Sequence, residues 1–537
     1  MDRNRYWIAL TLGLLLPVVA VAAGADDALL RHNCGACHAD PANPEAPLSR
    51  IEGQRKSPEG WEMTLTRMQV VHKAVFSDPA GELDANAVFA KMLKQLSDTR
   101  GLAPRETIAY RYSMERRHNT VDVPGDAEFD RMCARCHSPA RSALQRRTPE
   151  EWKHLIHFHL AQFPTTEYQA GGRDREWLPV ALEKILPRLE RELPLENKDW
   201  DSWQQHEVPA LDGRWRVVGR MPGKGDIEGV MQVKRSGDDL YEVSMEGRFA
   251  NGETLSAAGD SIIYTGYEWR GNLRAGEERY LQVLESSSNG KALSGRMFLA
   301  QHPDRGIDFF ASREDGIARL LAVSPAQIRR GESTTLTLSG SELAGEPALG
   351  SGILVQKVVS RDADRLVLEV IAKPGAKVGP LDVSVGKATL FGGLTVYERV
   401  NRLEVSPAYA VGRVGGNGGS QPEVQARFEA IGWANGPDEK PGTPDDLRIG
   451  ALKANWSVAP FDEKAAADQD VRFAGVMDKD TGVFMPAAAG PNPVRKYATN
   501  NAGNLKVIAT LGEGESAVSG EGQLLVTVQR WINPPLW

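Results

Sequence analysis

All four cysteines of the chain lie in two copies of one five-residue motif, and this feature constrains the fold more than any other. The copies are Cys34-Gly-Ala-Cys37-His38 and Cys133-Ala-Arg-Cys136-His137. Cys-x-x-Cys-His is the attachment motif of c-type haem: both sulfurs add to porphyrin vinyl groups, and the histidine binds the iron from one face. A zinc site or a redox dithiol is the alternative for a lone Cys-x-x-Cys. Two copies, each followed by histidine, favour two covalently bound haems.

The first residues have the layout of a secretory signal peptide. Arg3 and Arg5 precede an almost wholly apolar run from Trp7 to Ala23, and small residues suited to cleavage follow. A membrane anchor is the alternative, but the run is shorter than the roughly 20 residues of a spanning helix. We therefore predict export to the periplasm, where bacterial c-type cytochromes mature, and no membrane span in the mature chain.

Length and charge set the broad class of protein. A chain of 537 residues predicts several domains, because single hydrophobic cores stop growing at roughly 250–300 residues. The formal net charge of −7 argues against a nucleic-acid partner. With every cysteine assigned to haem, no disulfide is expected, and ordinary hydrophobic cores must hold the domains together.

The N-terminal region repeats itself around the two haem motifs. The segment Gln54–Trp61 returns as Gln145–Trp152, and in both copies a serine or threonine precedes Pro-Glu. This pattern is typical of a helix start with proline at the first helical position. It predicts helices over 61–73 and 152–163, and thus two small all-α cytochrome c units, each with a distal helix across the second face of its haem.

The repeat also aligns candidates for the sixth iron ligands. Matching the two tryptophans pairs Met68 with His159. Cytochromes c use methionine or histidine on the distal side, and methionine raises the reduction potential. We predict Met68 and His159 as the distal ligands, opposite His38 and His137 respectively. Because a methionine or histidine on such a helix can also serve packing or hydrogen bonding, four rivals stay open: Met63, His72, His154 and His157.

After Leu211 the sequence changes to short alternating strands separated by glycine-containing turns. Seven candidate strands lie between residues 214 and 312, and one of them spans Ser261–Arg270 as a single strand. Short loops join the strands in order, which predicts an up-and-down antiparallel meander closed as a β-barrel. Nothing in the sequence names a ligand for the barrel, so a barrel filled by its own side chains is expected.

A second repeat follows the predicted barrel. The segment 321–326 returns as 403–408, with Val-Ser-Pro-Ala in both copies. The interval suits an immunoglobulin-like sandwich of roughly seven short strands. The whole chain is therefore predicted to be a multidomain α + β protein. The predicted parts are a signal peptide over 1–23, haem units over 24–118 and 119–205, a barrel over 211–317, and immunoglobulin-like domains over 318–399 and 400–537.

This arrangement resembles the α subunit of bacterial quinohaemoprotein amine dehydrogenase. The resemblance rests on the two Cys-x-x-Cys-His units and the order of the β domains, and covers essentially the whole mature chain. Three segments reinforce it: Gln54–Trp61, Gly266–Asn272 and Thr499–Lys506. There is no departure at the cysteines or at the proximal histidines.

The resemblance implies an assembly that oxidises primary amines. A small partner subunit carries a cysteine tryptophylquinone, a β-propeller subunit lies beside it, and the α subunit passes electrons to a soluble cytochrome c or blue-copper protein. An independent argument agrees with this division of labour. The quinone needs a cysteine cross-linked to tryptophan, whereas every cysteine here belongs to a haem motif. The chain is therefore expected to be the haem-bearing electron-transfer subunit, with no amine-oxidising residue of its own.

Proteins of other classes remain open at this stage. One alternative is a free-standing dihaem electron carrier or a dihaem peroxidase, and a peroxidase would need one haem with an open or releasable distal site. Another is a scaffold built on the β domains, in which the haems are secondary. Turnover of hydrogen peroxide would favour the peroxidase, and co-encoded small cysteine-rich and propeller chains would favour the amine dehydrogenase.

Overall fold

The computed structural model of the chain describes residues 25–108, 126–134, 137–169, 176–417 and 421–528. The predicted signal peptide and the predicted haem cysteine Cys136 lie outside these residues. Within them the chain runs from a helical N-terminal region into sheets, as predicted. No helix of the described ranges is long and apolar enough to cross a membrane.

The N-terminal region is built from short helices. They are α1 (Ala25–His38), α2 (Pro58–Val70), α3 (Ala85–Thr99), α4 (Pro104–Thr107), α5 (Ala127–Cys133), α6 (Ala140–Ala143), α7 (Pro149–Gln162), α8 (Thr166–Gln169), α9 (Trp177–Val180), α10 (Leu186–Glu192) and α11 (Lys198–Trp203). A π-helical turn, Ala181–Ile185, joins α9 to α10. Pro187 follows it, has no N–H to donate and crowds the carbonyl four residues earlier, so the helix widens just before it.

Both predicted distal helices begin where the repeat places them. The Ser57 hydroxyl accepts a hydrogen bond from the Gly60 N–H at 3.3 Å, and the Thr148 hydroxyl accepts one from the Glu151 N–H at 3.3 Å. A proline occupies the first helical position of both α2 and α7. The capped starts with proline at the first helical position are thus confirmed in both copies. Both helices begin three residues before the predicted ranges, and α2 ends at Val70 rather than at residue 73.

The repeated segments pair with each other. Strand β1 (Gln54–Lys56) lies antiparallel to β2 (Gln145–Arg147), with Arg55 opposite Arg146. The pairing continues beyond the strands, because the Thr148 N–H donates to the Gly53 carbonyl at 3.0 Å. This ladder relates the two haem units by an approximate two-fold axis and brings the starts of α2 and α7 together.

An eight-stranded antiparallel β-barrel follows the helical region. Its strands are β3 (Gly213–Met221), β4 (Gly225–Gly237), β5 (Leu240–Phe249), β6 (Thr254–Tyr264), β7 (Glu268–Ala275), β8 (Glu278–Ser286), β9 (Ala292–Leu299) and β10 (Gly306–Arg313). Each strand pairs with the next, and β10 closes on β3. Buried side chains such as Trp215, Met231 and Trp269 form its core. The predicted closed meander is confirmed.

One strand prediction in the barrel is wrong. The sequence over Ser261–Arg270 forms the end of β6 and the start of β7, separated by a tight turn at residues 265–267. Thr265 and Gly266 both have positive φ, +55° and +76°, as the favoured two-residue hairpin turns require. The prediction failed because the single glycine lies inside a run of β-prone residues.

The next domain is a sandwich of two four-stranded sheets. Its strands are β11 (Arg319–Ser324), β12 (Gln327–Arg329), β13 (Ser333–Ser341), β14 (Pro347–Ala348), β15 (Ile353–Arg361), β16 (Arg365–Ala372), β17 (Gly379–Val385) and β18 (Ala388–Tyr397). One sheet has the order β11-β13-β16-β15 and the other β12-β18-β17-β14. Buried leucines and valines of both sheets, including Leu336, Leu368 and Val383, share one core.

The C-terminal domain is also built on sheets. Its elements are β19 (Arg402–Ser406), β20 (Tyr409–Arg413), β21 (Ala426–Arg427), β22 (Glu429–Ala434), β23 (Leu447–Leu452), β24 (Asn455–Pro460), α12 (Glu463–Ala467), α13 (Asp470–Phe473), β25 (Gly475–Met477), β26 (Val483–Pro486), β27 (Gly503–Leu511) and β28 (Val518–Thr527). They form sheets β19-β22-β23, β20-β28-β27-β24 and β21-β26-β25. The domain thus adds a small third sheet and two short helices to the predicted pair of sheets.

The barrel contacts the first haem unit through the hairpin that joins β6 to β7. The Tyr267 hydroxyl donates to the Leu102 carbonyl at 3.0 Å. Next to it, Arg270 of β7 forms an ion pair with Glu59 of α2 at 2.5 Å. Both partners are largely buried, so the barrel holds the start of the predicted distal helix from outside the haem region.

Candidate haem-binding site

The first site is built at the end of helix α1. Cys34, Cys37 and His38 occupy its last turn. The His38 Nδ1 lies 2.9 Å from the carbonyl oxygen of Ser49. A carbonyl only accepts, so Nδ1 carries the proton and Nε2 keeps the lone pair that an iron ion requires. This contact leaves Nε2 free of a proton, as binding to a metal ion would require.

The surroundings of Cys34 are apolar. Burial, with a smaller contribution from neighbouring Cys37, raises the pKa of Cys34 to about 11. Cys34 packs against the core of the first unit, which contains Trp61 and Leu65 of α2. The motif therefore faces an apolar surface suited to a porphyrin.

The second site repeats this geometry around α5. Cys133 is the last residue of the helix, and burial raises its pKa to about 12. The His137 Nδ1 lies 2.9 Å from the Ser138 carbonyl oxygen, so Nε2 is again left for a metal. Burial, assisted by the nearby Arg141 charge, lowers the pKa of His137 to about 4. The imidazole is therefore neutral at pH 7, the form that binds iron.

The two predicted distal residues lie on the equivalent turns of α2 and α7. Met68 is partly buried and packs against the same core cluster as Cys34. The His159 Nδ1 lies 2.8 Å from the Leu155 carbonyl oxygen, which leaves its Nε2 unprotonated when the ring is neutral. Burial lowers the pKa of His159.

The rival candidates have different surroundings. His72, His154 and His157 are exposed to solvent, whereas His159 is half-buried beside Trp177, with ring centroids 6.3 Å apart. Met63 is half-buried, as Met68 is. Among the described residues, however, only Met68 of these two methionines belongs to the cluster around Cys34.

The two sites meet through the residues that precede the predicted distal ligands. The guanidinium of Arg67 stacks over the ring of Phe158, with its central carbon 4.5 Å from the ring centroid. Arg67 directly precedes Met68, and Phe158 directly precedes His159. The structure therefore brings the turns that carry both predicted distal ligands into contact, which the sequence did not reveal.

This contact also contains a set of buried basic side chains that were not predicted from the sequence. Lys56 and Arg147 are 5% and 6% exposed, and each lies over the tryptophan of its own repeat. The sequence feature that could have indicated them is the pair of adjacent basic residues in each copy of the repeat, Arg55-Lys56 and Arg146-Arg147. In the linear sequence these pairs look like ordinary solvated charges.

Family models match the chain in four consecutive parts. Residues 24–200 match "Quinohemoprotein amine dehydrogenase A, alpha subunit, haem binding". Domains II, III and IV of the same alpha subunit match residues 209–314, 317–398 and 403–536. A comparison with curated proteins gives no match.

Some solved structures are similar to parts of this chain, at low sequence identity. A redesigned β-barrel, mFAP1, bound to DFHBI is 13% identical, with a TM-score of 0.18, and the match covers 19% of this chain and 94% of that one. The protein SGBP-B from a mixed-linkage glucan utilization locus of Bacteroides ovatus is 11% identical, with a TM-score of 0.18. That match covers 60% of this chain and 65% of the other.

The fold and the Cys-x-x-Cys-His sites define a haem-binding cytochrome region followed by β-sheet domains. The four family models together match nearly all of the described chain, in the domain order that the structure shows. The chain belongs to the family of quinohaemoprotein amine dehydrogenase α subunits. It is the haem-binding subunit of an enzyme complex.

Proposed function

We propose that this chain carries two covalent haem c groups and transfers electrons from a cysteine tryptophylquinone on a small partner subunit to a soluble acceptor. The acceptor is a cytochrome c or a blue-copper protein, and the substrate of the complex is a primary amine. The observation that carries the proposal is the pair of proximal histidines. His38 and His137 each donate from Nδ1 to a backbone carbonyl and keep Nε2 for iron.

The residues that would hold the haems have distinct roles. Cys34 and Cys37 form the thioethers of the first haem, and Cys133 and Cys136 form those of the second. His38 and His137 are the proximal ligands. Their hydrogen bonds to carbonyls fix the ring orientation and increase the basicity of Nε2. When bound, each haem iron alternates between the ferric and ferrous states and so stores one electron.

The distal residues make the two sites unequal. Met68 on the first unit and His159 on the second are the proposed sixth ligands. Methionine favours a higher reduction potential than a second histidine. Amine oxidation releases two electrons at the quinone, and two single-electron sites of different potential in one domain can accept and forward them in turn. The contact between Arg67 and Phe158 supports a short path between the units.

The family membership supports the proposed partners, and the predicted signal peptide supports the proposed compartment. The proposed complex contains this chain, a β-propeller subunit and the small quinone-bearing subunit. The predicted signal peptide over residues 1–23 assigns the complex to the periplasm, where haem c is attached. Because all four cysteines lie in haem motifs, none remains for a cross-link to tryptophan, which supports a quinone on another chain.

The decisive experiment uses the complex purified from its natural host. Mass spectrometry identifies the co-purifying chains, and visible absorbance follows haem reduction after addition of n-butylamine. Trimethylamine is the control, because it lacks the N–H bonds of a primary amine. We expect rapid reduction by n-butylamine alone, and two haems per chain by pyridine haemochrome assay.

Two results would contradict the proposal. The first is a chain that purifies alone with haems that stay oxidised in every primary amine, which would return it to the class of free electron carriers. The second is turnover of hydrogen peroxide without amine-dependent reduction, which would assign it to the peroxidases.

A further inference from the structure

The contact between the two haem units contains more positive than negative charge. We call this set the junction cluster: Arg50, Lys56, Arg67, Arg147 and Glu151. Glu151 is the single carboxylate of the set and forms ion pairs with Arg50 at 2.5 Å and Arg147 at 3.5 Å. The set thus contains four basic side chains and one carboxylate, which pairs with two of them, and three of the five side chains are almost fully buried.

Two other basic residues of the β1–β2 ladder, Arg55 and Arg146, both have a carboxylate partner. Arg55 and Arg146 lie opposite each other and share Glu106, at 2.8 and 3.0 Å. Arg55 also donates to the Leu195 and Gly101 carbonyls. Its guanidinium therefore has acceptors on every side, whereas Arg67 and Lys56 of the junction cluster form no ion pair with a carboxylate of the described residues.

Two members of the cluster lack an anionic partner within the described ranges. Lys56 donates to the Thr64 hydroxyl at 2.7 Å, and its ammonium lies 4.7 Å from the Trp61 ring centroid, but no carboxylate is within ion-pair distance. Arg67 has its Nε buried with no acceptor in the described part of the chain. Burial, then the charges of Arg147 and Arg67, lower the pKa of Lys56 well below its usual range.

Uncompensated buried cations are costly, because charge removed from water needs opposite charge or hydrogen-bond acceptors nearby. An anion at the junction would satisfy Arg67 and Lys56 together. A guanidinium that lies over an aromatic ring still directs its N–H groups outward in its own plane, and these groups form a fork suited to a carboxylate. An anion from outside the described residues fits this site, because it would give the Arg67 guanidinium an acceptor and would stabilise the charged form of Lys56.

We propose that the junction cluster binds propionate carboxylates of the haem in the second unit, with Arg67 supplied by the first unit. This rests on the proposed two-haem function. Arg67 lies over Phe158, which directly precedes His159, and Arg147 lies over Trp152 of the same helix α7, so the cluster is beside the helix that carries the proposed distal ligand of the second haem. A contact made by one unit to the haem of the other would couple the two sites directly.

The test uses redox-induced infrared difference spectra of the purified complex. Growth on 5-aminolevulinate labelled with ¹³C at C1 labels the haem propionate carboxyls, so their bands are recognised by the isotope shift. We expect Arg67→Gln to move the isotope-sensitive bands and to lower the reduction potential of one haem. Arg67→Lys, which keeps the charge, should restore much of both properties.

Arg105→Gln is the matched control, because Arg105 is an arginine of the same domain whose side chain is 83% exposed. It should leave the isotope-sensitive bands unchanged. If Arg67→Gln does not accumulate, Lys56→Met gives the same readout from the other unpaired cation. Band shifts in either variant support the proposal.

Unchanged isotope-sensitive bands in the accumulating variants would overturn it and would indicate a solvent anion at the junction. Haem content separates this failure from a failure of the proposed function. Two haems per chain with unchanged bands contradict only the propionate site. Fewer than two haems per chain in the wild type contradict the two-haem function itself.

Discussion

The first and second haem units share a sequence motif but differ in what surrounds it. In the first unit, Glu59 forms a buried ion pair with Arg270 of the barrel; its repeat partner, Glu150, is exposed. The next position is Gly60 in one unit and Glu151 in the other. A Cβ at Gly60 would lie 2.9 Å from the Lys56 Cβ, so glycine makes room for the lysine stem. Glu151 instead supplies the junction carboxylate.

This difference shows how a duplicated unit acquires two roles. The first unit is held from outside by the barrel, and its His38 is half-buried. The second is held by its own helices, and its His137 is also half-buried, in surroundings that lower its pKa to about 4. The same capped helix and the same tryptophan persist in both, because they form the core contact that each unit needs.

The largest expected effect comes from removing a distal ligand. His159→Ala should convert one haem from low-spin to high-spin, because its iron loses the sixth ligand, and Met68→Ala should do so at the other haem. Low-temperature electron paramagnetic resonance and the visible spectrum measure this. His157→Ala and Met63→Ala are matched controls on the same helices and should leave both signals intact. A variant with wild-type spectra would remove that residue from the ligand set.

The next largest effect is expected from breaking the ion pair between Glu59 of the first unit and Arg270 of the barrel. Glu59→Gln leaves Arg270 with one buried carboxylate instead of two and should reduce the free energy of unfolding of the haem region by about 3 kcal/mol. Guanidinium unfolding of the full chain, followed by haem absorbance, measures it. Glu150→Gln at the exposed repeat position should cost under about 0.5 kcal/mol. Equal losses in the two variants would show that the barrel does not distinguish the units.

The same interface should respond to pH. Burial, together with the charge of Glu59 and against that of Arg270, raises the pKa of Glu268 to about 7. The unfolded carboxyl titrates near 4.5, so the folded state holds a proton that the unfolded state has released. Stability should therefore fall as pH rises from about 4.5 to 7, by on the order of 3 kcal/mol.

Glu268→Gln should flatten this part of the stability profile, since glutamine does not titrate. Glu277→Gln is the control, because Glu277 is an exposed barrel residue, and it should keep the slope. Urea unfolding at a series of pH values provides the measurement. A slope that persists in Glu268→Gln would assign the pH dependence to another group.

The smallest effect is expected from removing the helix cap that the two units have in common. Ser57→Ala and Thr148→Ala each remove one helix cap, and each should cost about 1 kcal/mol. Thermal unfolding monitored by far-ultraviolet circular dichroism compares the two. Losses that differ by more than about 1 kcal/mol would show that the repeat is symmetric in sequence but not in energy.

The sequence by itself determined the local features. The haem motifs, the two helix starts and the alternation of the barrel strands depend on neighbouring residues, and their spacing is visible without a fold. The geometry of the turns was harder to predict from the sequence. The turn at 265–267 needs positive φ at Thr265 as well as at Gly266, and threonine gives no sign of this.

Only the tertiary structure decided which residues of the two repeats meet. It paired β1 with β2 and placed Arg67 on Phe158. It also buried all four basic residues of the ladder but paired Arg55 and Arg146 with Glu106, Arg147 with Glu151 and Lys56 with no described carboxylate, although the four look equivalent in the sequence. It also separated half-buried His159 from exposed His154 and His157 on one helix. Burial and the approach of opposite charges depend on segments about 90 residues apart in the sequence. The residues next to a buried cation in the sequence therefore do not show which carboxylate or other anion will lie beside it in the fold.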